Sequence, residues 1–255
     1  MSFWKNLRAV YRGSWRTMIA LPLLALVPVV FELIQHVVEV QIGMYNSIEA
    51  AKAVEHHPAR MAMGLVKVVA ITIPVYWTAR FLATSDRRFA SHFDSQAMRL
   101  FGLVLLFQTA MAALQMFVLP QTATVVLVGM VLGFPIAALL AGWYAAAPLG
   151  NPRIGPVRST RMMAPVLVST ILLSFLAMLP LMIVHYGLAA LALLGPKTLL
   201  WPTLIVDSLL VGWLSSILAA TVYVVAARAA DRAGVALLDR GDVSPPPLNP
   251  QEMPA

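Results

Sequence analysis

The chain contains no cysteine, which excludes disulfides, iron–sulfur clusters, thiolate zinc sites and cysteine catalysis. Charge is scarce: 11% of its 255 residues are Asp, Glu, Lys or Arg, against about 25% in an average soluble domain. No nucleophile elbow, phosphate-binding loop, dinucleotide fingerprint or His-Glu-x-x-His motif is present. What fills the chain instead is apolar surface, with 60% hydrophobic residues and a mean hydropathy of +0.81. A soluble fold of this length has too few charges to cover so much apolar area. The composition therefore excludes most soluble enzymes, nucleic-acid readers and disordered chains, and predicts one integral membrane domain.

A helix rises ~1.5 Å per residue, so about 20 apolar residues cross the hydrocarbon core. Six such runs are predicted, at 18–40, 61–82, 100–120, 122–149, 165–186 and 203–228. They are continuously apolar rather than alternating, which argues for helices and against a barrel. The expected fold is all-α, a polytopic six-helix transmembrane bundle. The stretch 165–194 is too long for one straight span, so Pro180 and Gly187 are expected to break it and leave 187–201 along the outer surface.

The net charge of +7 follows from where the basic residues sit. Lys5, Arg8, Arg12, Arg16, Arg80, Arg87, Arg88, Arg99, Arg153, Arg158, Arg161, Arg228, Arg232 and Arg240 all fall on one side of the predicted spans. Lys52, Arg60 and Lys197 fall on the other, and Lys67 lies inside a span. Basic loops stay in the cytoplasm, so both termini are expected there. The same bias accounts for the basic pI through attraction to anionic lipid, and no nucleic-acid partner is expected. The first span has no Ala-x-Ala cleavage site after it and reads as uncleaved.

Residues 1–17 read as an interfacial amphipathic helix. Phe3, Trp4, Leu7, Val10, Tyr11 and Trp15 share one side, with Lys5, Arg8, Arg12 and Arg16 in a stripe beside it. Trp4, Lys5, Arg8, Arg12, Trp15 and Arg16 are the expected lipid contacts. A similar unit recurs: Ser14-Trp15-Arg16 precedes span one, Ser95-Gln96-Ala97-Met98-Arg99 span three, and Arg158-Ser159-Thr160-Arg161-Met162 span five. Three copies of a short helix plus a hairpin are one reading of the layout.

Ala147-Pro148-Leu149, followed by Gly155-Pro156-Val157-Arg158-Ser159-Thr160-Arg161-Met162, resembles the inner connection of a bacterial membrane-domain family. That family is found fused to some glycerophosphodiester phosphodiesterases and as stand-alone inner-membrane proteins. Thr160 stands where the family's segment has a tryptophan, while Ser14-Trp15-Arg16 keeps one. The resemblance covers residues 1–228 in layout and implies a six-helix domain, here 18–228, in a bacterial inner membrane without catalysis of its own. The phosphodiesterase domain has no counterpart in this chain, so its activity is not implied.

Small residues recur at i, i+4 on two spans: Gly129, Gly133, Ala137, Ala141 and Ala145, and Ser208, Gly212, Ser216 and Ala220. Such seams let helix backbones approach closely in lipid. Gly129, Gly133, Ala137, Gly212 and Ser216 are therefore expected to pack against neighbouring helices, the pairing of one seam with the other included, with a homodimer face as the alternative. Residues 229–255 read as a cytoplasmic helical extension followed by a disordered proline-rich tail.

Ionisable residues inside a membrane are costly and are functional candidates by default. Here they gather in the outer half. Glu32, His36 and Glu39 share a face of span one with Gln35 beside them. Lys67 sits at the depth of Glu32 on the antiparallel neighbour, with His185 and Asp207 at the same level. Three readings of Glu32, Gln35, His36, Glu39, Lys67, His185 and Asp207 are open: wet helix ends with a structural Glu32–Lys67 pair, a proton- or cation-linked pocket, or a metal site. The Glu32-x-x-x-His36 spacing would suit two ligands on one helix face, but neither a metal nor a cofactor is assigned. A hydrolase built from Ser215 or Ser216, His185 and Asp207 is conceivable.

The expected function is non-enzymatic: membrane or envelope organisation through lipid contact, or an accessory subunit of a larger membrane complex. The alternative is a small transporter or channel using the outer pocket. Lys67 sealed against Glu32 with no opening would exclude it. Expected partners are membrane lipids and a membrane-protein complex or homodimer.

Overall fold

Apolar runs without water to bond their peptide groups are stable in lipid only when those bonds close within the segment. The computed structural model describes residues 3–238, and they form helices with no strand among them. Helix α1 (Phe3–Ala20) ends at Leu21, and Pro22 opens α2 (Pro22–Gln41), where its missing N–H costs nothing. A short α3 (Ile48–Ala53) is capped by the Ser47 side chain, which accepts from Ala50 N. The second span is two helices, α4 (Pro58–Thr72) and α5 (Pro74–Thr84), jointed at Ile73 because Pro74 cannot continue the ladder.

Asp86 and Asp94 cap α6 (Arg87–Ser91) and α7 (Ser95–Ala113), and the last turn of α7 widens into a π-helical turn at Leu114–Val118. After Thr122 come α8 (Ala123–Ala146), a 3₁₀ turn at Ala147–Leu149, and α9 (Pro156–Met163). The chain closes with α10 (Leu167–Leu194) and α11 (Leu200–Ala233). Six stretches are long and apolar enough to cross a membrane: Pro22–Gln41, Pro58–Thr84, Ser95–Val118, Ala123–Leu149, Pro156–Leu194 and Lys197–Ala233. The architecture is an all-α, multi-pass bundle.

Helix α11 is its centre. In its most apolar window 61% of residues are buried, against 11% for the span containing α7 at the rim. It packs on α10, α2, α1, α5 and α8, and Ile217, Ala219 and Ala220 are fully enclosed. At the end of the bundle where α11 finishes, Arg80 is buried and bridges three elements. Its guanidinium donates to the Phe89 carbonyl (2.9 and 3.2 Å) and the Pro148 carbonyl (3.0 Å), and lies over the rings of Phe89 and Tyr76.

The structure departs from the sequence expectations at four places. Helix α10 runs unbroken past Pro180 and Gly187, and no separate surface segment forms over 187–201. The residues after Gly187 are mostly Leu and Ala, strong helix formers, and one interior glycine costs only about 1 kcal/mol. The stop comes at Gly195-Pro196 instead.

Second, α1 is docked on the bundle rather than lying apart from it. Val10 is fully buried in the main core, Phe3, Leu7 and Tyr11 pack beside it, and the Tyr11 hydroxyl donates to the Ala177 carbonyl at 2.8 Å. The helix also runs beyond residue 17, to Ala20.

Third, the two small-residue seams behave differently. A Cβ at Gly212 would meet Val29 Cγ2 at 2.5 Å and the Ala25 carbonyl at 3.1 Å, so α11 closes on α2, and Ser216 is buried. On α8, Gly129 faces the Gln115 side chain, whereas Gly133 opens onto free space and Ala137 is exposed; only Ala141 and Ala145 are buried. Fourth, Ser95–Arg99 lies inside α7, and the short helix before that hairpin is α6. Helices α1, α6 and α9, of unequal length, precede the three hairpins. Helix α11 extends to Ala233, and the tail from residue 239 onward lies outside the described residues.

Candidate functional site

Four polar residues of α2, Glu32, Gln35, His36 and Glu39, recur at helical spacing and are all buried on its inward face. Helices α4 and α11 cover that face and complete the group. Lys67 on α4 donates to Glu32 Oε1 at 3.0 Å and lies 2.8 Å from Oε2. Arg60, two turns earlier on the same face of α4, donates its Nε–H to Glu39 Oε1 at 3.2 Å. Gln35 Nε2 donates to the same oxygen at 2.9 Å, and the Tyr45 hydroxyl donates to Glu39 Oε2 at 2.8 Å.

His36 is the hub. Its Nδ1 faces Glu39 Oε2 at 3.1 Å and the Tyr45 hydroxyl at 3.2 Å. Its Nε2 faces Asp207 Oδ2 of α11 at 3.2 Å and Glu32 Oε1 at 3.6 Å. The other Asp207 oxygen is 2.7 Å from His185 Nδ1 of α10. Four helices and one loop therefore converge on a single polar network. The loop is held from across the bundle, since Lys197 Nζ donates to the Tyr45 carbonyl. Burial first, and then the Glu39 carboxylate, push the Tyr45 phenol well above its usual pKa, so it remains a donor at neutral pH.

A cavity of about 330 Å³ opens beside this network, at the end of the bundle where α10 finishes and α11 begins. One wall is charged and polar: Glu32, Gln35, His36, Glu39, Tyr45, Arg60, Lys67, His185 and Asp207. The facing wall is apolar and comes mainly from the last turns of α10, with Leu188, Ala189, Ala190 and Leu193. The Glu32–Lys67 pair borders this space and does not close it. A buried polar wall within a lipid-embedded bundle is stable only when its charges are mutually paired, which these are.

All seven residues picked from the sequence for the polar pocket line this one cavity. Two others escaped notice. Arg60 lies at i, i+7 from Lys67, and that spacing could have revealed it. Tyr45 comes from a loop, and no periodicity points to it. His56 and His57 stay exposed, and His57 caps α4 by accepting from Ala59 N. The conceivable serine hydrolase does not assemble: the hydroxyls of Ser215 and Ser216 donate to the carbonyls of Ile71 and Gly212.

The residues picked for lipid contact all lie along the outside of α1. Trp4, Lys5, Arg8, Arg12, Trp15 and Arg16 are exposed, with Arg16 also reaching Ser85 Oγ at 3.1 Å. A second hollow lies at the opposite end of the bundle, between α11 and the α8–α9 connection, bordered by Asn151, Arg153, Arg158 and Asp231. No family model, curated protein or solved structure matches the chain.

Proposed function

We propose that this chain is a non-enzymatic, multi-pass protein of a bacterial inner membrane with both termini in the cytoplasm, and that it works as a small transporter or channel. In this reading the polar pocket lies in the outer half of the membrane and takes up a cation or proton. The sequence by itself puts membrane organisation first; what supports the reverse order is the cavity of about 330 Å³ walled by ionisable residues of α2, α4, α10 and α11. Structural ion pairs alone have no need of water-sized space beside them. Convergent polar groups facing an apolar wall, at an interface between helices, are the usual form of a small-ligand site.

The absence of cysteine makes the test direct, because any introduced thiol is the only one. Ala189→Cys and Leu193→Cys place a thiol on the cavity wall, His56→Cys marks the exposed loop, and Leu106→Cys marks the apolar outer face of α7. With a membrane-impermeant maleimide on intact cells, His56→Cys and Ala189→Cys are expected to label and Leu106→Cys to stay unlabelled. Labelling of His56→Cys without Ala189→Cys or Leu193→Cys would overturn the open pocket. Labelling of His56→Cys only after the cells are opened would overturn the orientation.

A second reading, membrane organisation through lipid contact, is favoured by one observation, the exposed row of Trp4, Lys5, Arg8, Arg12 and Trp15 on α1.

A further inference from the structure

We propose that Glu32, His36 and Asp207 form a binding site for a divalent transition-metal ion, of the Zn2+ or Mn2+ class, and that this ion is the cation the pocket takes. The inference rests on the pocket reading above and names its ligand.

One pair of donor atoms already stands at coordination-shell spacing, and the third ligand needs only a small inward shift. Two ligand atoms about 2.1 Å from a common metal lie roughly 3.0–3.4 Å apart in octahedral or tetrahedral geometry. His36 Nε2 is 3.2 Å from Asp207 Oδ2 and 3.6 Å from Glu32 Oε1, and one donor atom from each of the three residues falls within 4.8 Å of the others. All three residues are buried. Two of them also have the outer support that metal ligands require. The Nδ1 of His36 is held by Glu39 and Tyr45, which turns Nε2 toward the carboxylates, and the free Asp207 oxygen is held by His185.

An independent observation points to a missing partner. Gln35 is 93% buried and lines the same cavity, yet its Oε1 has no hydrogen-bond partner among the described residues. Buried acceptors are rarely left bare. A metal ion with its remaining water ligands supplies positive charge and a donor to that oxygen. One imidazole with two carboxylates selects Zn2+ or Mn2+ over Mg2+ and Ca2+, which favour all-oxygen shells, and the lack of thiolates disfavours Cu+.

Lys67 has a distinct part. It neutralises Glu32 when no metal is bound, and its side chain is 23% exposed, so it can swing out when the ion arrives. The carboxylates of Glu32 and Asp207 then balance the two metal charges, while Arg60 remains paired with Glu39.

The full chain in lipid nanodiscs, stripped with chelator, is titrated with ZnCl2, MnCl2 and, as control, MgCl2, following stoichiometry and thermal midpoint. About one Zn2+ or Mn2+ per chain is expected, with little response to Mg2+. His185→Gln should weaken binding about 10–100-fold through lost orientation of Asp207, and His36→Ala should weaken it further. Lys67→Met should bind severalfold more tightly, and the ion should restore its lowered midpoint, an effect that a purely structural cluster does not produce. No stoichiometric binding, binding indifferent to His36→Ala and His185→Gln, or weaker binding by Lys67→Met would overturn the site. Ala189→Cys labelling without Zn2+ or Mn2+ binding overturns the metal and spares the pocket; metal binding with a sealed Ala189→Cys supports the ion site and overturns the open path.

Discussion

At the scale of single residues, the unequal burial of Glu32 and Lys67 decides how their pair behaves. Glu32 is 1% exposed, whereas the Lys67 side chain can still reach the surface. Removing the lysine leaves a carboxylate in low dielectric, while removing the carboxylate leaves an amine with somewhere to go. Lys67→Met in metal-free detergent should therefore lose about 2–4 kcal/mol. Glu32→Gln should lose less, and Glu32→Gln with Lys67→Met should recover much of the difference. Thermal or denaturant melting of the four proteins gives the cycle, and strict additivity would mean that the pair is not coupled. This pairing was legible from the sequence, because counting residues from the ends of antiparallel spans gives depth. Arg80 was not. Its sequence neighbourhood marks a basic connection, and only the fold brings the Phe89 and Pro148 carbonyls to its guanidinium.

At the scale of elements, small-residue spacing identifies a helix face but not whether anything packs on it. Gly212→Ala should cost about 1–3 kcal/mol, since the new methyl group must push α2 away from α11. Gly133→Ala meets open space and should be neutral or slightly stabilising through helix propensity. Melting the two variants side by side checks the assignment, and equal losses would refute it. The exposed row on α1 carries its own prediction: Arg8→Gln with Arg12→Gln should lower severalfold the share of anionic lipid that co-purifies with the protein from mixed-lipid membranes, and an unchanged share would refute the contact. The six spans were readable because continuous apolar length is all that a lipid environment requires. The docking of α1 was not, because a wheel projection cannot distinguish lipid from the flank of α10 and α11 as the partner of Val10.

At the scale of the whole molecule, the two ends of the bundle use different chemistry. The end where α11 finishes is fastened by a buried Arg80 meeting carbonyls and ring faces, and by Asn151 donating to the carbonyls of Ala236 and Leu237. The other end holds the buried carboxylates and imidazoles. Helix α11 runs between them, contributing Asp207 near one end and Ala230 to the core near the other. The sequence places the titratable residues in that half, but their convergence into one network depends on four helices arriving together.

The central position of α11 also governs how the chain is made. A ribosome delivers α1 to α10 before it, so five spans enter the bilayer around an axis that is not yet there. During that interval Asp207 is absent, and His36 has only its own helix, Tyr45 and the α4 side chains for company. The Glu32–Lys67 pair is carried on consecutive spans, so it can form before α11 is synthesised and stays in place once the bundle closes. A chain stopped after residue 196 should accordingly be cleared rapidly by membrane proteases, and co-expression of 197–238 as a separate span should restore its level on an immunoblot.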